Sequence, residues 1–116
     1  MSEKYLYIIT QAPYSCAVAV EAIDAALMSA NFDLQVSVLL IHDGVFQIKK
    51  GQGDVQKNTG KIFKALSDYG VDGIYVDQLS LDARDMSQTD LLVSADKLKS
   101  EQIRAMIADH DQVLVF

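Results

Sequence analysis

The 116-residue chain has one cysteine, one proline and no tryptophan. A lone thiol, Cys16, can form no internal disulfide. With only His42 and His110 beside it, no Cys/His set at zinc-site spacing can be assembled, so no metal is expected. Basic residues are also scarce: ten Lys plus Arg stand against sixteen Asp plus Glu, a formal charge of −6. A free-standing nucleic-acid binder needs a basic face that releases counterions from phosphates, so no direct nucleic-acid contact is expected. Long hydrophobic runs are missing too, and all fall far short of the roughly 20 residues that cross a bilayer. The N-terminus carries both charge signs ahead of a short apolar run, with neither a signal-peptide h-region nor a lipidation motif. No membrane association is expected, and the cytoplasm is the expected location. No repeat, low-complexity block or linker interrupts the chain, so residues 1–116 read as one domain.

What is present suits a packed domain: 50% of residues are hydrophobic and 22% charged. Residues 5–10 are aromatic and β-branched and predict a strand, broken by Gln11, Ala12, Pro13 and Tyr14. Ser15 is the expected cap of a helix from Cys16 to about Ala30, whose apolar stripe is Val20, Ile23, Leu27 and Ala30. Val18, Ala22 and Ala25 fall on the other side, so this helix reads as apolar on two faces. Either its alanines tolerate water as good helix formers, or a second packing partner covers them. Residues 34–41 become continuously apolar, as a central strand covered on both faces does.

His42, Asp43 and Gly44 end that strand, and Val45, Phe46, Gln47 and Ile48 read as an exposed apolar island that suggests association. Residues 49–58 predict one long loop, and residues 59–69 a helix with Ile62, Leu66 and Tyr69 in register and Gly70 as its left-handed C-terminal residue. Short strands at 74–76, 91–93 and 113–116 are separated by a helical turn or two at 80–85 and by a helix capped by Ser100 that carries Ile103, Met106, Ile107 and His110. Alternation of this kind predicts an α/β three-layer sandwich around a five-stranded, mostly parallel sheet. Ligands or chemistry would then be expected in the loops at the strand C-termini.

Tested against that frame, the usual catalytic constellations fail. The stretch GDVQKNTGK at 53–61 resembles a phosphate loop, but six residues separate its glycines and Ile62 stands where magnesium needs a hydroxyl. No G-x-G-x-x-G follows the first strand. A phosphoacceptor receiver needs carboxylates clustered at two strand ends, whereas Asp77 follows its strand alone and reads as a turn or cap residue. Cys16 lies beside a helix N-terminus, which lowers a thiol's pKa, yet no basic residue is near and the thiol can equally serve as a small core group. His42 reads as a hydrogen-bonded loop residue beside Asp43, and His110 as a cap on the C-terminal dipole of its helix. The residues thus predict no catalytic, cofactor-binding or metal-binding set, and no cofactor.

Three passages are similar to the DsrE/DsrF/DsrH group of small sulfur-handling proteins, nearest to its TusC, or DsrF-like, branch. They are Gln11-Ala12-Pro13-Tyr14, the run from Ile41 through Gly44 to Gln47, and the terminal Asp109-His110-Asp111-Gln112-Val113-Leu114-Val115-Phe116. The resemblance covers essentially the whole chain. It implies a subunit of a TusBCD-type heterohexamer, with TusB-like and TusD-like homologous partners, that relays sulfur as a persulfide toward 2-thiouridine at the tRNA wobble base. In that family the sulfur-carrying cysteine belongs to the TusD-like subunit, at the end of the third-strand region. Here the comparable passage, Ile74-Tyr75-Val76-Asp77-Gln78-Leu79-Ser80-Leu81, has no cysteine. The resemblance therefore implies an architectural subunit and not an enzyme. The alternatives are a DsrF-like subunit of a sulfur-oxidation DsrEFH complex, a stand-alone thiol or persulfide carrier using Cys16, and a homo-oligomeric domain that binds a metabolite at the strand C-terminal edge.

Overall fold

Alternation along two buried strands divides the core in a computed structural model that describes residues 3–12, 18–32, 34–49, 63, 66, 70–91 and 94–116. In β1 (Lys4–Ile9) and β2 (Gln35–Leu40), Tyr7, Ile9, Val36, Val38 and Leu40 point into a large cluster with Ala22, Ile23 and Ala26 of α1 (Val18–Asn31). Leu6, Ile8 and Leu39 point the other way, into a smaller cluster with Leu98. That second cluster is flanked by Ile103 and Met106 of the C-terminal helix, α3 (Ser100–Asp109). Each fully buried Leu or Ile contributes roughly 2 kcal/mol relative to exposure, so both faces hold the sheet.

β3 (Val71–Asp77), β4 (Asp96–Leu98) and β5 (Gln112–Val115) complete a sheet of order β4-β3-β2-β1-β5, in which every pairing is parallel. A short helix, α2 (Gln78–Ala83), follows β3 directly. The α/β sandwich with a five-stranded parallel sheet is therefore as the sequence predicts.

Several expectations need correction. The fourth strand expected at 91–93 falls partly outside the described residues; Leu91 makes an isolated antiparallel bridge to Lys49, and the strand paired with β3 is β4, Asp96–Leu98. β4 is an edge strand with only Leu98 turned inward, so it leaves no apolar pattern to read. The run after β2 is no exposed island, because it winds into a 3₁₀ helix, His42–Ile48, whose Val45 and Ile48 are fully buried in the main cluster. Nor does α1 show two apolar faces among the side chains described. Ala22 lies in the core with Ile23, and the opposite side carries exposed Glu21, Asp24, Met28 and Asn31. Ser100 is not the cap of α3 but its first residue: the capping position is Lys99, whose backbone N–H donates to Gln102 Oε1 at 2.8 Å. Most of the loop at 49–58 and of the helix at 59–69, with Ser15 and Cys16, lies outside the described residues. Of the residues in that range, Phe63 and Leu66 are described and buried, and Gly70 has φ +95°, the left-handed conformation expected of it.

The junction of α3 and β5 is clasped to the start of β1. The Lys4 ammonium lies 2.7 Å from Asp109 Oδ2, the Lys4 N–H donates to Asp111 Oδ2 at 2.8 Å, and the Asp111 N–H returns a bond to the Lys4 carbonyl at 2.8 Å. The hydrogen bond from Lys4, and then its charge, hold the Asp109 carboxyl below the usual carboxylate range, while the same contact raises Lys4. Asp109's share of the clasp is thus present above the ordinary carboxylate pKa and lost as pH falls through its depressed value. Lys4's share is present below the ordinary lysine pKa and lost as pH rises through its raised one. Both groups are exposed, so the clasp is a weak contributor to stability. Lys4→Met should return the Asp109 titration, followed by carboxylate NMR, upward to the ordinary range with the unfolding midpoint barely moved; an unshifted Asp109 curve would contradict the assignment.

Candidate functional site

At the C-terminal ends of β1, β2 and β3 the chain must leave the sheet three times, and polar side chains satisfy the backbone there. Leaving β2, His42 adopts φ +50°, a left-handed conformation uncommon outside glycine. Its N–H donates to Ser80 Oγ at 2.8 Å, and the Ser80 hydroxyl in turn donates to Asp77 Oδ2 at 2.6 Å. Asp77 ends β3 and occupies the capping position of α2, and its carboxylate bonds the Ser80 side chain one turn on and no backbone N–H of the helix. One turn on, Arg84 spans the two loops. Its Nε and Nη2 reach Asp43 Oδ1 at 3.1 and 2.9 Å, its Nη1 reaches the Ser80 carbonyl at 3.1 Å, and its guanidinium carbon lies 5.9 Å from the centre of the Phe46 ring. Lys49 Nζ lies 5.6 Å from the same ring centre.

The 3₁₀ helix is joined to β1 as closely as to α2. Gly44 stands against the end of β1, where a Cβ would come within 2.0 Å of the Ile9 carbonyl oxygen. Gln47 is fully buried and its Nε2 donates to the Gln11 carbonyl at 2.9 Å. The Ile41-to-Gln47 passage is thus set by close packing and backbone satisfaction.

The chemistry open to this arrangement is limited. The Ser80 hydroxyl both donates to Asp77 and accepts from His42, and a carboxylate is a weak base for activating a serine. His42 contributes its backbone N–H, and its exposed imidazole does not meet Ser80 through any hydrogen bond described. His110 lies at the other end of the sheet, its Nδ1 2.6 Å from the Met106 carbonyl, so Nδ1 is the donor that caps α3. Cys16, with Pro13, Tyr14 and Ser15, lies outside the described residues. Among those described, no three His, Cys, Asp or Glu side chains converge as a metal ion requires, and no helix is long and apolar enough to cross a membrane.

The sequence places Asp77 and His42 at strand ends but does not single out Ser80 or Arg84. An Asp at a strand end with a Ser three residues on in a helical turn places the two side chains on one face, which is the local signal for the first pair. Nothing local could have found Arg84, whose partner Asp43 is 41 residues away.

Comparison with known proteins places the chain in a family. The family model described as DsrE/DsrF-like matches residues 3–116. The intracellular sulfur oxidation protein DsrF of Allochromatium vinosum is 38% identical over 86% of this chain and 76% of its own. A TusC homolog of Pseudomonas aeruginosa is 36% identical over 98% of each chain. The crystal structure of the ychN protein from E. coli superposes with a TM-score of 0.80 over the full length of both chains at 19% identity, which establishes the shared fold. A family match over nearly every residue, relatives above 30% identity along most of the chain and the common parallel sheet lead to one conclusion: the protein belongs to the DsrE/DsrF-like family.

Proposed function

We propose that the chain is a non-catalytic subunit of a TusBCD-type sulfur-relay assembly in the cytoplasm, supporting persulfide transfer toward tRNA wobble 2-thiouridine. It holds and orients a homologous TusD-like chain that carries the sulfur, beside a TusB-like one. The observation that carries this reading is the end of β3, where Asp77 and Ser80 bond to one another and no thiol is found. A persulfide needs a thiolate sulfur, and neither a carboxylate nor a hydroxyl can replace it. The end-to-end match to a TusC homolog supports the tRNA branch. The DsrF relative supports a second reading, a subunit of a sulfur-oxidation complex.

Exposed apolar side chains give partners something to cover. Val115 of the edge strand β5 is 64% exposed and Phe32, just past α1, is 73% exposed. Co-expressed with TusB-like and TusD-like chains, the protein should co-elute as a heterohexamer. Given a persulfide donor, the mass of one added sulfur should appear on the TusD-like chain, and Cys16→Ser should leave the relay intact. Elution as a monomer beside those partners, or relay that depends on Cys16, overturns the proposal. Loss of tRNA 2-thiouridine on deletion of the gene distinguishes the first reading from sulfur oxidation.

A further inference from the structure

Where β1, β2 and β3 begin and α3 ends, at the edge of the sheet opposite the loops just described, lies a cleft of about 420 Å³. Backbone irregularity and packing build it. The pairing of β2 with β3 runs from Val36↔Val71 to Ser37↔Gly73, so Asp72 is the extra residue of a β-bulge. In a regular strand Asp72 would share the face of Ile74 and Val76, which pack on the α1 side. The bulge keeps Val71 in that core and sets Asp72, exposed, on the cleft.

Gly73 then leaves room for an aromatic ring. A Cβ at that position would stand 2.8 Å from the Tyr75 hydroxyl oxygen and 2.9 Å from its ring, so the phenol lies back over Gly73 and reaches the cleft. Opposite Gly73, Ser37 is only 8% exposed and lines the same cleft, with no hydrogen bond from its hydroxyl to any described residue. The side chains of Gln35, Asp72 and Tyr75 likewise have no described partner.

The charge left over is negative, and the neutral polar groups beside it can all accept. Lys4 is committed to Asp109 and His110 Nδ1 to the Met106 carbonyl, so the uncompensated charge is the Asp72 carboxylate. Ser37, Gln35, Tyr75 and Met106 line the cleft around it. An anion would meet the charges of Asp72 and Asp109 with only neutral donors, and no uncommitted cation, to offset them. A hard metal ion would want more carboxylates than the cleft supplies.

We propose that this cleft binds a guanidinium or alkylammonium group on a short aliphatic stem. The cation pairs with Asp72, donates to the Ser37, Gln35 and Tyr75 oxygens, rests against the Tyr75 ring and lays its stem along Met106. A guanidinium fits best, because its planar fork carries five donors and stacks on aromatic faces. The chain's charge of −6 favours the approach of cations. The same chemistry can come from a free amine or from an arginine side chain of another protein, and the site stands independently of the sulfur-relay reading.

Proton–nitrogen NMR titration of the full chain tests it, with agmatine in one arm, N-acetyl-arginine-N-methylamide in a second, and sodium chloride at matched ionic strength as reference. Saturable shifts are expected at Ser37, Asp72, Gly73 and Tyr75. Tighter binding of agmatine assigns a free amine, and tighter binding of the blocked arginine assigns a protein side chain. Asp72→Asn, at an exposed position where folding should be preserved, should weaken binding about ten-fold, and Tyr75→Leu should weaken it without removing the apolar contact beneath. No saturable shift in either arm, equal shifts with sodium chloride, or unaltered affinity in both variants would overturn the proposal.

Discussion

Replacing Gly44 with alanine should remove much of the protein's stability. The new Cβ would stand 2.0 Å from the Ile9 carbonyl oxygen and 2.7 Å from the Ile9 carbonyl carbon, both backbone atoms that no rotamer change can move aside. The carbonyl cannot withdraw easily, because it accepts the Ile41 N–H at 3.1 Å where the β1–β2 ladder ends, and the Ile9 side chain is buried. Either β1 or the 3₁₀ helix must therefore shift, taking Val45 and Ile48 out of the core with it. Overpacking of this kind costs about 3 kcal/mol or more, a large part of the roughly 5–15 kcal/mol by which domains are stable. Gly70→Ala is the calibrating variant. Its nearest neighbour would be the Ala30 Cβ at 3.7 Å, so only the left-handed backbone at φ +95° opposes it, at about 1 kcal/mol. Urea unfolding of the two variants beside the parent measures the difference, and equal midpoints would show that the approach of Gly44 to β1 is not as described.

Leu39→Ala is expected to have the next largest effect, and its consequence is directional. Leu39 is fully buried in the smaller cluster, whose other buried members among the described residues are Leu6, Ile8 and Leu98. α3 has no buried residue of its own and packs on that cluster through the partly buried Ile103 and Met106. Removing the side chain should cost about 3 kcal/mol, within the 2–5 kcal/mol seen for large-to-small core changes. It should also loosen α3 before the rest of the sheet. Hydrogen exchange should show the amides of α3 losing protection ahead of those in β1 and β2. Uniform loss across both faces would mean that α3 is held by something other than this cluster.

These two positions mark how differently a fold can be written into a chain. Leu39 is legible, because 34–41 is a run of apolar residues whose alternation and length predict a buried central strand, and β2 spans Gln35–Leu40. Gly44 is not, since a glycine after a strand signals a turn and says nothing about which backbone will press against it. The same contrast runs through the candidate sites. Asp77 at the end of β3, Gly70 in its left-handed conformation and His110 as the cap of α3 follow from local chemistry and stand where that chemistry predicts. The Val45–Ile48 run is as apolar as a docking surface, and whether it faces solvent or core depends on a 3₁₀ helix that no periodicity announces.

What the sequence determined alone is the order of strands and helices, the parallel architecture that alternation demands, and the absence of a cysteine after the third strand. Each depends on residue type and near-neighbour spacing, which a linear reading contains. Only tertiary structure decided that Asp96–Leu98 forms the edge beside β3, that Arg84 joins α2 to Asp43, and that a bulge at Asp72 opens a cleft over Gly73. Those features arise when segments tens of residues apart are pressed into one sheet, and the register and close approach that create them are properties of the pairing, carried by neither partner in isolation.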